Sequence, residues 1–305
     1  MVWLWIPIAA AFCYAISGFI DNFLVDTYCK KKNPKCMSII YVAIELVICV
    51  VVAIASQGAV FTGVGWGEIG IFLLAALVNF FGSIPYYRAL KDDETTEVAL
   101  LSQMSPVMAL GLGFVFLNEV IGAQQLVGFF MILAMAVFIV VGSGRRRFKM
   151  KATAGICMVI ACFFWVMSDI IFVFQAREVD FVASIFWLMM GGVISNVLAF
   201  IVMRSWRKDL KSFLARKRGR KISIIVANEL VCLAGEVLWR FGVVVMPVAI
   251  MSVTGNVAQL IITFILGVVL TLIVPKFGRE KLSKKVVANH ALAMGVIAIA
   301  VVLLG

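Results

Sequence analysis

Apolar residues recur along this chain in blocks of about 20, separated by short segments rich in glycine, proline and charge. A block of about 20 apolar residues is long enough to cross the hydrocarbon region of a bilayer as an α-helix. A membrane β-barrel would instead need short strands that alternate apolar and polar residues, and the block 126–141 shows no such alternation. The pattern therefore predicts an all-α membrane protein.

Ten membrane-spanning helices are predicted from these blocks. The first block starts at residue 2 with no basic segment before it, so we interpret it as a retained span and not as a cleaved signal peptide. Very short links join spans 4 and 5, and spans 8 and 9, which predicts that these partners are antiparallel neighbours. The predicted spans are 2–25, 38–57, 68–90, 96–118, 123–143, 152–176, 180–203, 222–243, 247–274 and 286–304.

Composition and charge agree with this reading. Of 305 residues, 64% are hydrophobic and 14% are charged, whereas soluble domains are about 45–50% apolar and about 25% charged. The net charge of +11 arises from basic residues in alternate loops, because 25 of the 27 lysines and arginines follow odd-numbered spans. Lys and Arg concentrate in cytoplasmic loops. We therefore expect a multi-pass cell-membrane protein with both termini on the non-cytoplasmic side, and only Arg177 and Arg240 depart from the pattern.

The longest basic loop, from Arg204 to Lys221, has its own periodicity. Its apolar residues Trp206, Leu210, Phe213 and Leu214 fall on one helical face among lysines and arginines. This spacing is typical of a short helix on the membrane surface, and its expected partner is anionic lipid. A solvated basic loop remains the alternative. Nucleic acid is not an expected partner, because the basic residues follow the membrane topology.

Neither cysteine spacing nor nucleotide motifs indicate a cofactor. The seven cysteines form no Cys-x-x-Cys pair and no metal-ligand set, and no phosphate-binding loop is present. We therefore expect no metal, no other cofactor and no direct use of ATP. Cys29 and Cys36 flank a loop assigned to the cytoplasm, where thiols stay reduced. A monomer and a homodimer are both compatible with the sequence.

Short matches between the two halves of the chain indicate an internal repeat. Residues 98–102 match 248–252, residues 14–17 match 165–168, and residues 87–88 match 239–240, all at offsets of 150 to 152. The chain then divides into a first five-helix repeat (1–143), a basic linker (144–151) and a second five-helix repeat (152–305). Because five is odd, the second repeat is inverted in the membrane. Inverted repeats are common in secondary transporters, which bind substrate between the two halves.

Four segments of the first half resemble the drug/metabolite transporter superfamily in its EamA-type branch: 86–90 (YYRAL), 102–107 (SQMSPV), 116–119 (FLNE) and 125–128 (QLVG). The resemblance implies a transporter in which spans 1, 3, 4, 6, 8 and 9 line a central cavity. Two features depart from it. Gly255-Asn256 stands where the second half would repeat Ser-Pro, and the termini are predicted on the side opposite to that usual for ten-span members.

Polar and ionisable residues within spans supply the candidate site, because such residues are costly in a bilayer and usually face a cavity or a partner. Many repeat at i, i+3, i+4 or i+7 and so share a helix face. Glu236 and Arg240 are four apart, so mutual neutralisation is an alternative to substrate binding. The predicted substrate-binding residues are Tyr14, Ser17, Asp21, Asn79, Ser83, Tyr86, Ser102, Gln103, Trp165, Asp169, Glu229, Glu236, Asn256 and Gln259.

These residues predict a secondary transporter, an exporter or exchanger working by alternating access. Our hypothesis is that Glu229 and Glu236, with Asp21 or Asp169, make the cavity electronegative. Such a cavity would favour an amino acid, an amine or a similar cationic or zwitterionic solute, with proton coupling left open. The alternative is a flippase or carrier of an amphipathic or lipid-linked metabolite. An intramembrane enzyme is disfavoured, because the single histidine, His290, stands in a peripheral span.

Overall fold

The computed structural model describes residues 2–28, 38–92, 101–142, 152–214 and 218–273, with a few isolated positions beyond residue 291. Every regular element in these ranges is helical. Short 3-10 turns occur at Val2–Leu4, Ala59–Phe61 and Ser102–Met104. The α-helices are α1 (Trp5–Tyr28), α2 (Ser38–Ala55), α3 (Trp66–Asp92), α4 (Ser105–Leu117), α5 (Ala123–Gly142), α6 (Ala152–Ala176), α7 (Phe181–Val202), α8 (Arg204–Leu214), α9 (Arg218–Val245) and α10 (Val248–Ile273).

Six of these helices, α1, α3, α6, α7, α9 and α10, are long and apolar enough to cross a membrane. Shorter apolar helices occupy 39–55, 105–117 and 123–135. All nine coincide with predicted spans, so the all-helical, multi-pass membrane fold is confirmed. Most of the tenth predicted span, 286–304, lies outside the described residues. The whole of the linker 144–151 also lies outside them, as do His290, Cys29 and Cys36. The count of ten spans and the division into two repeats therefore stay predictions.

Local sequence explains where several helices begin and end. Asn118 ends α4 in a left-handed conformation (φ 52°), which asparagine tolerates better than most residues. The Asp180 carboxylate caps α7 by accepting the backbone N–H of Ala183 at 3.1 Å. Pro247 separates α9 from α10, because it cannot donate the hydrogen bond that would continue α9.

The bundle is held together by contacts between the first and second halves of the chain. α3 packs along α6 and α7, and α1 packs along α9 and α10. At Gly191 of α7 an added Cβ would lie 2.6 Å from the Cβ of Ala76. Small residues of this kind let membrane helices approach closely where no hydrophobic force acts between them. α5 contacts mainly α10 and lies at the periphery of the described bundle.

Four described links, 56–65, 118–122, 177–180 and 246–247, join helices on one side of the bundle. Two contacts tie them together there: Trp187 donates to the Val60 carbonyl at 3.0 Å, and Arg177 pairs with Glu119 at 2.6 Å. We call this side the linked face. The opposite side, which receives the lysine- and arginine-rich segments in the predicted topology, is the basic face.

The surface helix predicted within 204–221 is present as α8, but its apolar residues contact protein. Trp206 is 2% exposed and its ring lies 6.3 Å from that of Phe80. Leu210 packs beside Leu24 and Ile225. The side chains of Phe213 and Leu214 lie outside the described residues. Lipid would therefore contact the exposed basic side chains of α8, and lipid binding by this helix stays a prediction.

Candidate functional site

A cavity of about 280 Å³ lies inside the bundle. Its described wall comes from α1, α3, the turn 102–104, α4, α6, α9 and α10, and no described residue of α5 contributes. This is the division among spans that the family resemblance implies. The lining residues are Tyr14, Ala15, Ser17, Gly18, Asp21, Asn79, Ser83, Tyr86, Tyr87, Ser102, Ser105, Met158, Trp165, Val166, Asp169, Cys232, Glu236, Trp239, Arg240, Ser252, Asn256, Gln259 and Thr263.

Twelve of the fourteen predicted site residues line this cavity. Of the other two, Gln103 belongs to the turn 102–104, but its side chain lies outside the described residues. Glu229 is buried in α9 at 6% exposure and is not part of the wall. The twelve are Tyr14, Ser17, Asp21, Asn79, Ser83, Tyr86, Ser102, Trp165, Asp169, Glu236, Asn256 and Gln259. Their role in binding a substrate stays a prediction.

The wall also contains residues that were not predicted, among them Tyr87, Cys232, Trp239 and Thr263. The internal repeat contained a signal for Trp239, because it is aligned there with Tyr87. Cys232 and Thr263 gave no such signal, since each resembles an ordinary packing residue of a membrane helix.

Asp169, Glu236 and Arg240 form an ion cluster at one end of the cavity. Arg240 is 2% exposed. Its Nη1 donates to Asp169 Oδ1 at 2.6 Å and its Nε donates to Glu236 Oε1 at 2.8 Å. The third side of the guanidinium is also occupied, because Nη2 donates to Ser168 Oγ at 3.1 Å. A fixed fork of donors suits this geometry, which a lysine could not reproduce.

The remaining oxygen of each carboxylate in this cluster is bound by an aromatic side chain. Tyr14 donates its hydroxyl to Glu236 Oε2 at 2.9 Å, and Trp239 Nε1 donates to Asp169 Oδ2 at 3.0 Å. Every oxygen of the two carboxylates therefore accepts at least one hydrogen bond within the protein. Glu236 and Arg240 are therefore ion-paired in the structure, which is the mutual neutralisation that their spacing suggested.

Arg240 does not cancel the negative charge of the whole wall. The described lining residues include three carboxylates (Asp21, Asp169 and Glu236) and one guanidinium, which leaves a formal charge of −2 with all four groups ionised. Asp21 lies apart from the ion cluster. Its Oδ1 accepts the side-chain amide of Asn228 at 2.8 Å.

Aromatic rings line the cavity as two edge-on or tilted pairs. The rings of Tyr86 and Trp165 are 5.2 Å apart, and those of Tyr14 and Trp239 are 6.1 Å apart. Tyr87 adjoins the first pair, with its ring 5.2 Å from that of Tyr86. Separations of this size are favourable for aromatic pairs.

Glycines on facing helices make room for three of these rings. An added Cβ at Gly82 would lie 2.8 Å from Cδ1 of Trp165, and one at Gly255 would lie 2.5 Å from Cζ3 of Trp239. At Gly235 it would come within 3.3 Å of the Tyr14 ring. Real Cβ contacts are almost never as close as those at Gly82 and Gly255, and the one at Gly235 would be unusually tight, so the glycines limit how each ring is placed in the cavity.

The cavity is closed on the linked face. Arg240 lies five residues, or about 8 Å, from the end of α9. Val243 is buried between it and that end, and Met246 of the link and Val248 and Ala249 at the start of α10 are buried just beyond it. In the other direction the wall extends along α3 to Tyr87, and it includes Ser105 at the start of α4 and Ser102 of the preceding turn, near the helix ends at the basic face.

An ion pair secures this closure. Arg177, in the link after α6, donates to Glu119 Oε1 at 2.6 Å and to the carbonyls of Val243 and Val244 at 3.3 Å each. Glu119 Oε2 accepts the backbone N–H of Val248, the first residue of α10, at 2.8 Å. A cation thus lies at the C-terminal end of α9 and an anion at the N-terminal end of α10, as the helix dipoles favour.

Comparisons with known proteins concern the family and the fold of this chain. The model of the EamA-like transporter family matches residues 1–141. A search of curated proteins found no match. A solved structure titled "Crystal structure of protein" is 17% identical, covers 97% of this chain and 96% of its own, and superposes with a TM-score of 0.65. That likeness concerns the fold alone. The resemblance drawn from the motifs of the first half is confirmed, and the family indicates a membrane transporter of the drug/metabolite type.

Proposed function

We propose that this protein, an EamA-like transporter by its first 141 residues, is a secondary transporter of a small cationic or zwitterionic metabolite such as an amino acid or an amine. The observation that carries the proposal is the cavity of about 280 Å³ between the two halves of the chain, lined by polar and aromatic side chains with a formal charge of −2. Ligand sites in membrane transporters are expected near the midplane between the repeats.

The proposed mechanism is alternating access, as an exporter or exchanger. In the conformation described here, the Glu119–Arg177 ion pair and the buried residues around it separate the cavity from the linked face. The cavity wall instead extends toward the basic face. With the basic face in the cytoplasm and both termini outside, this conformation would take up its solute from the cytoplasm. Transport then requires the linked face to open while the basic face closes.

The proposal also includes proton coupling and the binding of anionic lipid. Proton coupling would use the cavity carboxylates, and it predicts that a pH gradient drives uptake into proteoliposomes. Anionic lipid would bind the exposed basic side of α8, where Arg204 and Lys208 are exposed.

The first experiment is thermal stabilisation of the purified protein by a panel of amino acids, amines, nucleotides and sugars, followed by proteoliposome uptake of each solute that binds. A ligand that binds only the folded state raises the apparent unfolding temperature, by an amount that grows with the logarithm of its concentration relative to its dissociation constant. We expect some cations or zwitterions to stabilise the protein, and we expect this stabilisation to be smaller in Glu236→Gln. The matched control is Glu178→Gln, an exposed carboxylate in the link 177–180. Stabilisation only by anions would contradict the proposal, and stabilisation only by lipids would favour an amphipathic or lipid-linked cargo.

A further inference from the structure

Five aromatic side chains, Tyr14, Tyr86, Tyr87, Trp165 and Trp239, line one cavity of about 280 Å³. Among the described residues, the wall is thus built more from rings than from charged groups. An aromatic ring attracts a cation to its face through its quadrupole, most strongly for Trp, and the attraction grows when the cation is desolvated. Several rings around one cavity form the arrangement that recognises organic ammonium groups.

The two aromatic pairs have different hydrogen-bonding roles. In the Tyr14–Trp239 pair, both polar atoms already donate to carboxylates of the ion cluster. Those carboxylates are in turn held by Arg240, so a substrate would have to break this network to use them directly. The cluster therefore supplies a fixed electrostatic field, while its oxygen atoms are already bound.

The Tyr86–Trp165 pair lies farther from the ion cluster, toward the basic face. The Asp21 carboxylate is close enough to the Tyr86 and Tyr87 phenols to act on both electrostatically. Asp21 is 6% exposed and lines the same cavity. A negative charge beside an aromatic surface in the same cavity raises the attraction of that surface for a cation.

The two pairs occupy similar places in the two halves of the chain, within one position of the repeat alignment. Tyr14 and Trp165 are 151 positions apart, and each ring packs on a glycine of a facing helix, Gly235 and Gly82 respectively. Those glycines are 153 positions apart. Their ring partners, Trp239 and Tyr86, are also 153 positions apart.

We infer that the transported solute is an organic ammonium ion whose charged group is held by the faces of the Tyr86 and Trp165 rings, with its apolar part toward Tyr14 and Trp239. This inference rests on the proposed function and assigns recognition to the rings, where the hypothesis from the sequence assigned it to the carboxylates. The carboxylates contribute the negative potential of the cavity, and Arg240 holds two of them in place.

The test compares choline with 3,3-dimethylbutan-1-ol, which has the same shape with carbon in place of the charged nitrogen. Calorimetric titration of the full-length protein should detect choline and leave the neutral isostere at least tenfold weaker. Tyr86→Phe and Trp165→Phe keep a ring and should lose little affinity. Tyr86→Leu and Trp165→Leu should each lose about three- to thirtyfold. Phe174→Leu, which removes an exposed ring from the same helix as Trp165, should change nothing.

The outcomes separate this inference from the function on which it rests. Equal binding of choline and its isostere, or equal affinity of the Phe and Leu variants at unchanged unfolding temperature, would overturn the role of the rings. Uptake of a zwitterion or anion without any affinity for choline would overturn the inference and leave a transporter in place. Absence of uptake for every solute of the panel would instead overturn the proposed function. The comparison of choline with its isostere uses only the unaltered protein, so it stands even where a leucine variant does not fold.

Discussion

Glu119 and Arg177 are 58 positions apart in the chain and form an ion pair at 2.6 Å that joins three links on one face of the bundle. Arg177 and Arg240 are the two basic residues that depart from the alternation of charge among the loops. Both are paired with carboxylates, Arg177 with Glu119 and Arg240 with Asp169 and Glu236. Their positions therefore follow from internal ion pairing, while the other lysines and arginines follow the predicted membrane topology.

Removal of the Arg177 charge should favour opening of the linked face. In Arg177→Gln, Glu119 loses its cationic partner and the α9 carbonyls lose a charged donor, which costs about 2 kcal/mol. We expect an apparent unfolding temperature lower by roughly 5 °C. In a variant that keeps Cys232 as its only cysteine, a membrane-impermeant thiol reagent added from the linked face should label the cavity faster.

Glu178→Gln is the matched control for this change, because Glu178 is exposed in the same link. It should alter neither the unfolding temperature nor the labelling rate. Labelling of Cys232 at the same rate in Arg177→Gln and in the unaltered background would contradict the closing role of the ion pair.

Loss of the Arg240 charge should be among the most destabilising single changes within the membrane. Arg240→Gln leaves the buried Asp169 and the partly buried Glu236 without a cation, and breaking a buried pair typically costs about 3–5 kcal/mol. The triple change Arg240→Gln, Asp169→Asn and Glu236→Gln removes all three charges at similar volume. It should recover most of the stability in a thermal denaturation assay without recovering transport. Equal instability of the single and triple variants would show that packing around Arg240 matters more than its charge.

Glu229 and Glu236 lie on the same helix, seven residues apart, and should respond differently to neutralisation. Glu236 lines the cavity, so Glu236→Gln should weaken solute binding by about tenfold through loss of cavity charge and weakening of the charge-assisted hydrogen bonds from Tyr14 and Arg240. Glu229 is buried outside the wall, so Glu229→Gln should leave affinity within about twofold and act on stability. Each variant is the control for the other in calorimetric titration, and a greater loss of affinity in Glu229→Gln would contradict this assignment.

Gly82 should control the shape of the cavity through Trp165. In Gly82→Ala the new methyl group would lie 2.8 Å from Cδ1 of Trp165, so the ring must shift into the cavity. We expect solute affinity to fall about tenfold or more, with a cost in stability of about 1–3 kcal/mol from overpacking. Gly70→Ala on the same helix meets nothing within 4 Å and should be neutral or slightly stabilising. Similar affinity in the two variants would contradict the close contact between Gly82 and Trp165.

The sequence by itself determined the membrane class, the helix positions and most of the cavity wall. Long apolar blocks must satisfy their backbone hydrogen bonds internally, so in a bilayer they become helices whatever their neighbours are. Polar residues within such blocks are costly unless they meet a cavity or each other, so Asp21, Asn79 and Asn256 could be assigned inward from periodicity alone. The same argument does not say which inward residues meet.

Only the tertiary structure decided how these groups are paired. Glu229 and Glu236 have the same residue type and share a helix face, yet one lies behind the wall and the other in the ion cluster. That difference depends on which neighbouring helix packs against each turn of α9. The contacts of Arg177 with Glu119 and of Trp165 with Gly82 likewise depend on distances between helices far apart in sequence. Periodicity along one helix fixes the direction of a side chain, and the packing of several helices fixes what that side chain meets.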